Sequence, residues 1–250
     1  MTIFMSRDGN GENLCLLHGF TQTHESWQTL RESLNRTYKT IAPDLPGHGK
    51  SANGTLSVSE IADEIVSAVN EPTVFVGYSF GARIALHIAL QHPALTRALV
   101  LVSATAGLED PKIRQDRLRS DQALAERIVA IGVEAFVDEW LAQELFATLT
   151  PQNNQRSIRL SNTVDGLAES LRHAGTGSQE SLWERLNDIG CPTLLVVGEK
   201  DPKFVALAQR LHINLIRSEL VVLNSGHSVH LERPQEFLEL LDDFLGRLHR

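Results

Sequence analysis

Four unbroken apolar runs limit the fold of this 250-residue chain more than any other feature: Leu14-Cys15-Leu16-Leu17, Thr73-Val74-Phe75-Val76, Ala98-Leu99-Val100-Leu101-Val102 and Thr193-Leu194-Leu195-Val196-Val197. A strand wetted on one face alternates apolar and polar residues, so a continuous run needs cover on both faces, as in a parallel sheet sandwiched by helices. The segments between the runs supply those helices. Trp27 to Leu34 reads as a helix, followed by a further strand at Tyr38 to Ala42. Ser57-Val58-Ser59-Glu60 forms a capping box, and Val58, Ile61, Ala62, Ile65, Val66 and Val69 then share one helical face. Helices are also expected from Arg83, from Phe204 to Leu211 and from Pro234, with a strand at Leu220 to Leu223. Strands alternating with helices in this way predict an α/β fold, a mostly parallel twisted sheet with helices on both faces.

At Ser103 the alternation stops. Arg114 to Ile131, Val133 to Ala147 and Pro151 to about Arg172 read as successive helices with no strand between them. The expected division is therefore a core of residues 1–103 and 186–250 interrupted by a helical insertion at 104–185. Such an insertion reads as a lid over the catalytic edge, or as a packed helical subdomain with no gating role. The net charge of -8 argues against a nucleic-acid binder, which needs a basic footprint. Cys15 and Cys191 sit in apolar runs without metal-ligand spacing and read as buried thiols of a reducing compartment. No basic-then-apolar leader and no run long enough to span a membrane is present, so a cytoplasmic protein without a membrane span is expected. A monomer is a separate expectation. The Asn-x-Thr sequons at Asn35 and Asn53 carry no weight in such a compartment.

The chemistry is concentrated where the second run turns into a helix, at Gly77-Tyr78-Ser79-Phe80-Gly81. A strand reversing this sharply into a helix brings backbone against backbone, and glycines on both sides of the serine relieve the clash. Ser79 is then left at a helix N-terminus, where free N–H groups favour developing negative charge. A serine hydroxyl is a weak nucleophile and a weak base at neutral pH. It needs an imidazole beside it, and the imidazole needs an acid to fix its tautomer. Ser79, Asp201 and His227 each follow an apolar run, in the order Ser, Asp, His that nucleophile-elbow enzymes use. Glu199 is a rival acid, but Asp201 lies further into its loop. Arg83, one helical turn after Ser79, suggests a substrate carboxylate, or else an internal ion pair with an acid such as Asp44.

His18-Gly19-Phe20, Asp44-Leu45-Pro46-Gly47-His48-Gly49, the Ser79 elbow and Ser225-Gly226-His227 with Glu232-Arg233-Pro234 resemble the α/β-hydrolase superfamily over nearly the whole chain. That resemblance implies an oxyanion hole from the backbone N–H groups of Phe20 and Phe80, with His18 shaping its loop and not titrating in catalysis. Gly107-Leu108-Glu109-Asp110-Pro111, Arg114, Arg117-Leu118-Arg119-Ser120-Asp121, Phe136 to Trp140, Phe146, Arg159, Gly175-Thr176-Gly177 and Gly198 to Phe204 resemble one family more narrowly. It is the 2-succinyl-6-hydroxy-2,4-cyclohexadiene-1-carboxylate synthases of menaquinone or phylloquinone biosynthesis. Carried over position by position, that family's substrate-binding residues fall on Arg83, Arg117 and Arg159, with Tyr78 and Trp140 lining the pocket. Ala82 departs from the pattern, where a glycine is common. Arg117 has an alternative partner in Asp121, one turn along its helix.

The resemblance implies a lyase that eliminates pyruvate from a small anionic substrate bearing several carboxylates, with Ser79 as a base and with no metal and no organic cofactor. The triad is equally compatible with a serine carboxylesterase or carbon–carbon bond hydrolase working through a covalent intermediate. A non-catalytic binding protein on the same fold is the third reading.

Overall fold

The computed structural model describes residues 3–51 and 54–248; Asn53, one of the two sequon asparagines, lies outside them. Among these residues a seven-stranded sheet runs β1 (Met5–Asp8), β3 (Tyr38–Pro43), β2 (Glu12–Leu17), β4 (Thr73–Tyr78), β5 (Thr96–Val102), β6 (Thr193–Gly198) and β7 (Ser218–Leu223) in spatial order. Every pairing is parallel except β1 with β3. The antiparallel β1 was not legible beforehand: Met-Ser-Arg-Asp has no apolar run and is half-exposed on the sheet edge.

The four apolar runs are covered on both faces, as their continuity requires. Cys15, Leu17, Phe75, Leu99, Leu101 and Leu195 point to one side, where α2 (Val58–Val69), α3 (Phe80–Gln91) and Leu211 of α7 (Pro202–Asn214) bury them. Leu14, Leu16, Val74, Val76, Val100 and Val196 point to the other, against Leu30 and Leu34 of α1 (Gln28–Leu34) and Phe237, Leu241 and Phe244 of α9 (Pro234–Arg247). Each fully buried Leu, Val or Phe side chain contributes about 1.5–3 kcal/mol, so these two layers dominate the stability of the core. The Ser57 capping box forms as its spacing predicts, Ser57 Oγ accepting from the Glu60 N–H and Glu60 reaching back to the Ser57 N–H.

The segment between β5 and β6 is helical, with different boundaries from those the periodicity suggests. α4 (Pro111–Leu141) starts three residues early because Asp110 accepts from the Lys112 and Ile113 N–H groups. It breaks at Gly132, whose φ of 79° and ψ of 170° only glycine adopts readily. The helix expected from Pro151 to Arg172 is not continuous. It resolves into α5 (Arg156–Arg159) and α6 (Val164–Ala174), because Gln155 takes a left-handed conformation (φ 56°) and the Thr163 hydroxyl caps the Gly166 N–H. α4 and α6 share a small core of Ala125, Ile128, Phe136, Leu167, Ala168 and Leu171, against which Phe20 and Trp140 pack. A short α8 (Val229–Glu232) follows the His227 turn. No described helix is long and apolar enough to cross a membrane.

Candidate active site

The turn from β4 to α3 is built by contacts that exclude side chains. A Cβ on Gly81 would run into the Leu17 carbonyl, and one on Gly77 into the Gly81 carbonyl. Ser79 itself adopts φ 50° and ψ -100°, a conformation that costs a non-glycine residue about 1–3 kcal/mol. Hydrogen bonds from the Ser79 N–H to Val102 O (2.9 Å) and from the Gly81 N–H to His18 O (3.1 Å) hold it there.

Residues separated by up to 148 positions then meet. His227 Nε2 lies 3.2 Å from Ser79 Oγ, and His227 Nδ1 lies 2.7 Å from Asp201 Oδ2. The imidazole is 1% exposed and the carboxylate residue 7%. Asp201 uses its other oxygen to cap the Phe204 N–H (3.3 Å), so the start of α7 orients the acid. No hydrogen bond joins Glu199, the rival acid, to His227 among the described residues; its backbone N–H is spent on Leu223 O. The His227 turn is fastened by Glu232, which accepts from the Gly226 and Ser228 N–H groups, and by Ser103, whose hydroxyl donates to His227 O (2.7 Å). Ser103 escaped the sequence reading; its one signal is a hydroxyl placed directly after a buried strand.

The loop carrying Phe20 is held by neutral imidazoles. His18 Nδ1 donates to Gly19 O (2.8 Å), while its Nε2 accepts from the Leu45 N–H (2.9 Å). His48 likewise donates to Pro46 O and accepts from the Thr21 N–H. Burial pushes His18 down to about 3 and His48 to about 4, so both are uncharged when they shape the loop. Neither the Phe20 nor the Phe80 N–H has a hydrogen-bond acceptor among the described residues. His230 is buried with both ring nitrogens unpartnered, against Trp27 and Tyr78, and is lowered to about 3 by desolvation.

These imidazoles make stability pH-dependent with a definite sign. Their folded pKa values, about 3 to 4, lie below the ordinary 6.5, so the unfolded chain binds protons that the folded chain refuses. The stability they contribute is complete above pH 6.5 and is lost as pH falls towards 4. His230→Leu is expected to match or exceed the wild-type melting temperature at pH 7 and to flatten its decline on acidification. An unchanged slope of melting temperature against pH would count against this assignment.

Above Ser79 and His227 lies a cavity of about 1130 Å³, lined also by residues of α4, α5 and α6. All three arginines expected there line it, as do Tyr78 and Trp140. Arg83 does not pair with Asp44, which instead binds His24 (2.7 Å). It donates to Gln179 Oε1 (2.9 Å) and Ala174 O (2.9 Å), and its charge centre lies 5.0 Å from the Phe80 ring centroid. Arg159, 1% exposed, donates to Asn154 O, Phe20 O and Thr21 Oγ1, and its Nη2 has no protein acceptor. Desolvation lowers Arg83 to about 9 and Arg159 to about 10, leaving both charged at neutral pH. Arg117 does pair with the buried Asp121 (2.7 Å), the alternative its spacing offered. The Tyr78 hydroxyl is 2.7 Å from Ser228 Oγ, and the buried Trp140 Nε1 has no acceptor.

Residues 16–240 match the alpha/beta hydrolase family. The chain belongs to that family. A relative from Enterobacter sp. (strain 638) is named 2-succinyl-6-hydroxy-2,4-cyclohexadiene-1-carboxylate synthase; it is 35% identical over 228 residues, 88% of this chain and 86% of that one. The solved structure of MenH from S. aureus superposes with a TM-score of 0.93 at 30% identity, covering 100% of both chains. A thermophilic esterase from Thermogutta terrifontis superposes with a TM-score of 0.85 at 24% identity, over 99% of this chain and 94% of that one. The alpha/beta hydrolase fold thus houses more than one chemistry, and the choice between them falls to the cavity.

Proposed function

We propose that the protein is a 2-succinyl-6-hydroxy-2,4-cyclohexadiene-1-carboxylate synthase, a carbon–oxygen lyase that eliminates pyruvate from 2-succinyl-5-enolpyruvyl-6-hydroxy-3-cyclohexene-1-carboxylate in menaquinone or phylloquinone biosynthesis. The observation that carries this reading is the pair of buried guanidiniums, Arg83 and Arg159, that line the Ser79 cavity without a carboxylate partner among the described residues. Burying a cation that no carboxylate bonds is costly, and two in one cavity fit a substrate that brings its own anions. An ester with an apolar acyl group gains nothing from them. The names of the relatives point the same way.

In the proposed mechanism Ser79 Oγ gives its proton to His227 Nε2 and takes the ring proton acidified by the succinyl ketone. Asp201 holds His227 in the tautomer whose Nε2 faces the serine and balances the imidazolium that forms. The electron pair left on carbon moves into the ketone, and the enolate oxygen is received by the Phe20 and Phe80 N–H groups. As the enolate collapses, the ring carbon–oxygen bond to the enolpyruvyl group breaks. The leaving enolpyruvate takes up the proton from His227 and tautomerises to pyruvate, and Ser79 is regenerated as a hydroxyl. Residues 104–185 act as a lid that excludes water from the enolate, over a core of 1–103 and 186–250. The remaining expectation is a small polycarboxylate as substrate in the cytoplasm.

The test is pyruvate release from the enolpyruvyl substrate, followed by a coupled lactate dehydrogenase assay. The expected result is turnover in a metal-chelated buffer. Brisk hydrolysis of simple esters with no pyruvate released would replace the lyase by a serine hydrolase.

A further inference from the structure

Five cationic side chains, Arg83, Arg117, Arg159, Lys203 and Arg210, line the described cavity together with a single carboxylate, that of Asp121. Their partners sort them. Arg117 is matched by Asp121, and Arg210 is matched by Glu109 through two bonds of 2.5 and 2.8 Å. Arg83 and Arg159 are held by carbonyl, amide and hydroxyl oxygens. Lys203 differs from all four: its ammonium has no hydrogen bond and no ion pair among the described residues, and the residue is exposed. Lys203, Ala206, Leu207 and Arg210 are spaced to share one face of α7, and all four line the cavity. Lys203 is at the end of that face next to the catalytic groups. Its ammonium lies 5.7 Å from the Phe204 ring centroid, and that ring packs on the His227 imidazole at 4.4 Å.

Taking the lyase reading as given, we propose that Lys203 is a specificity-determining residue that receives one carboxylate of the substrate at the cavity mouth, on the His227 side. The two buried arginines can each hold one carboxylate away from water. A substrate with three carboxylates then has one left, and Lys203 is the remaining cation whose charge no protein acid offsets. A four-carbon stem with a point charge can follow an anion as it enters, which a fork fixed among carbonyls cannot. Being wet, Lys203 acts by attraction that salt screens, so it contributes to capture and not to the chemical step.

The experiment measures pyruvate release for wild type, Lys203→Ala, Lys203→Arg and Lys203→Glu at low and high salt, together with calorimetric binding of benzene-1,2,4-tricarboxylate as a plain polyanion. Lys203→Ala is expected to raise KM about five- to tenfold while kcat stays within about twofold, Lys203→Glu to raise it further, and Lys203→Arg to restore it. The salt dependence of kcat/KM is expected to be shallower in Lys203→Ala, and the tricarboxylate to bind it more weakly. Unaltered KM and salt slope in Lys203→Ala, or a loss confined to kcat, overturns the proposal while leaving the lyase reading standing. A wild type that releases no pyruvate overturns the lyase reading and this role with it; weaker tricarboxylate binding by Lys203→Ala would then report a polyanion site serving another reaction.

Discussion

Ser79→Ala is expected to lower kcat/KM for pyruvate release by about 10³-fold or more, with the melting temperature at or above that of the wild type. On the proposed mechanism the loss follows from removing the base while Asp201, His227 and the proposed oxyanion donors stay in place. Stability is retained because the Ser79 hydroxyl is bonded only to His227 Nε2, and alanine has the same Cβ in the same strained turn. Intact-mass spectrometry of the wild type during turnover separates a base from a nucleophile. A base leaves the protein mass unchanged, whereas an adduct on Ser79 that disappears as product forms would establish covalent catalysis. Turnover in Ser79→Ala within about tenfold of wild type would remove the serine from the chemistry altogether.

Arg159→Ala is the second large effect, expected to reduce kcat/KM by about 100-fold, near 3 kcal/mol, because the proposed buried charge-assisted contact to a substrate anion would be lost. Arg159 also donates to Phe20 O and Thr21 Oγ1, in the loop that carries the proposed oxyanion donor Phe20, so kcat should fall as well as KM rise. Arg159→Lys keeps the charge without the fork and should recover part of KM but little of kcat. Comparing a neutral ester substrate distinguishes the two duties: equal losses for ester and polyanion would make Arg159 a brace for the loop and nothing more. Circular dichroism and a melting curve establish that either variant is folded.

The division between what was readable and what was not follows sequence distance. The continuous apolar runs announced a sheet covered on both faces, since successive residues of a strand face alternating sides and the runs are apolar on both. The elbow was legible because its constraint is local: Gly77 and Gly81 must lack a Cβ for strand and helix to approach. The order of Ser79, Asp201 and His227, each just after a different parallel strand, was enough to expect that they meet, because parallel strands bring their C-terminal ends to one edge. The insertion was less legible. A helical pattern from Pro151 to Arg172 says nothing of the left-handed Gln155, whose side-chain amide is bonded to Ser26 O, 129 residues away.

Charge was the least legible property. Arg83, Arg117 and Arg159 look alike as letters, yet Arg117 is answered by Asp121 four residues on, and the other two are buried among oxygens that carry no full charge. Lys203 attracted attention only as part of a motif around Asp201, and packing alone sets it on the cavity wall beside Phe204. The Gly77-Tyr78-Ser79-Phe80-Gly81 turn, the sheet and the chain order of the triad were thus written in local pattern, because steric exclusion and strand periodicity act between near neighbours. Which cations stay unanswered, and therefore what the cavity asks of a ligand, was decided only by the tertiary structure, because desolvation depends on atoms contributed by helices a hundred residues apart.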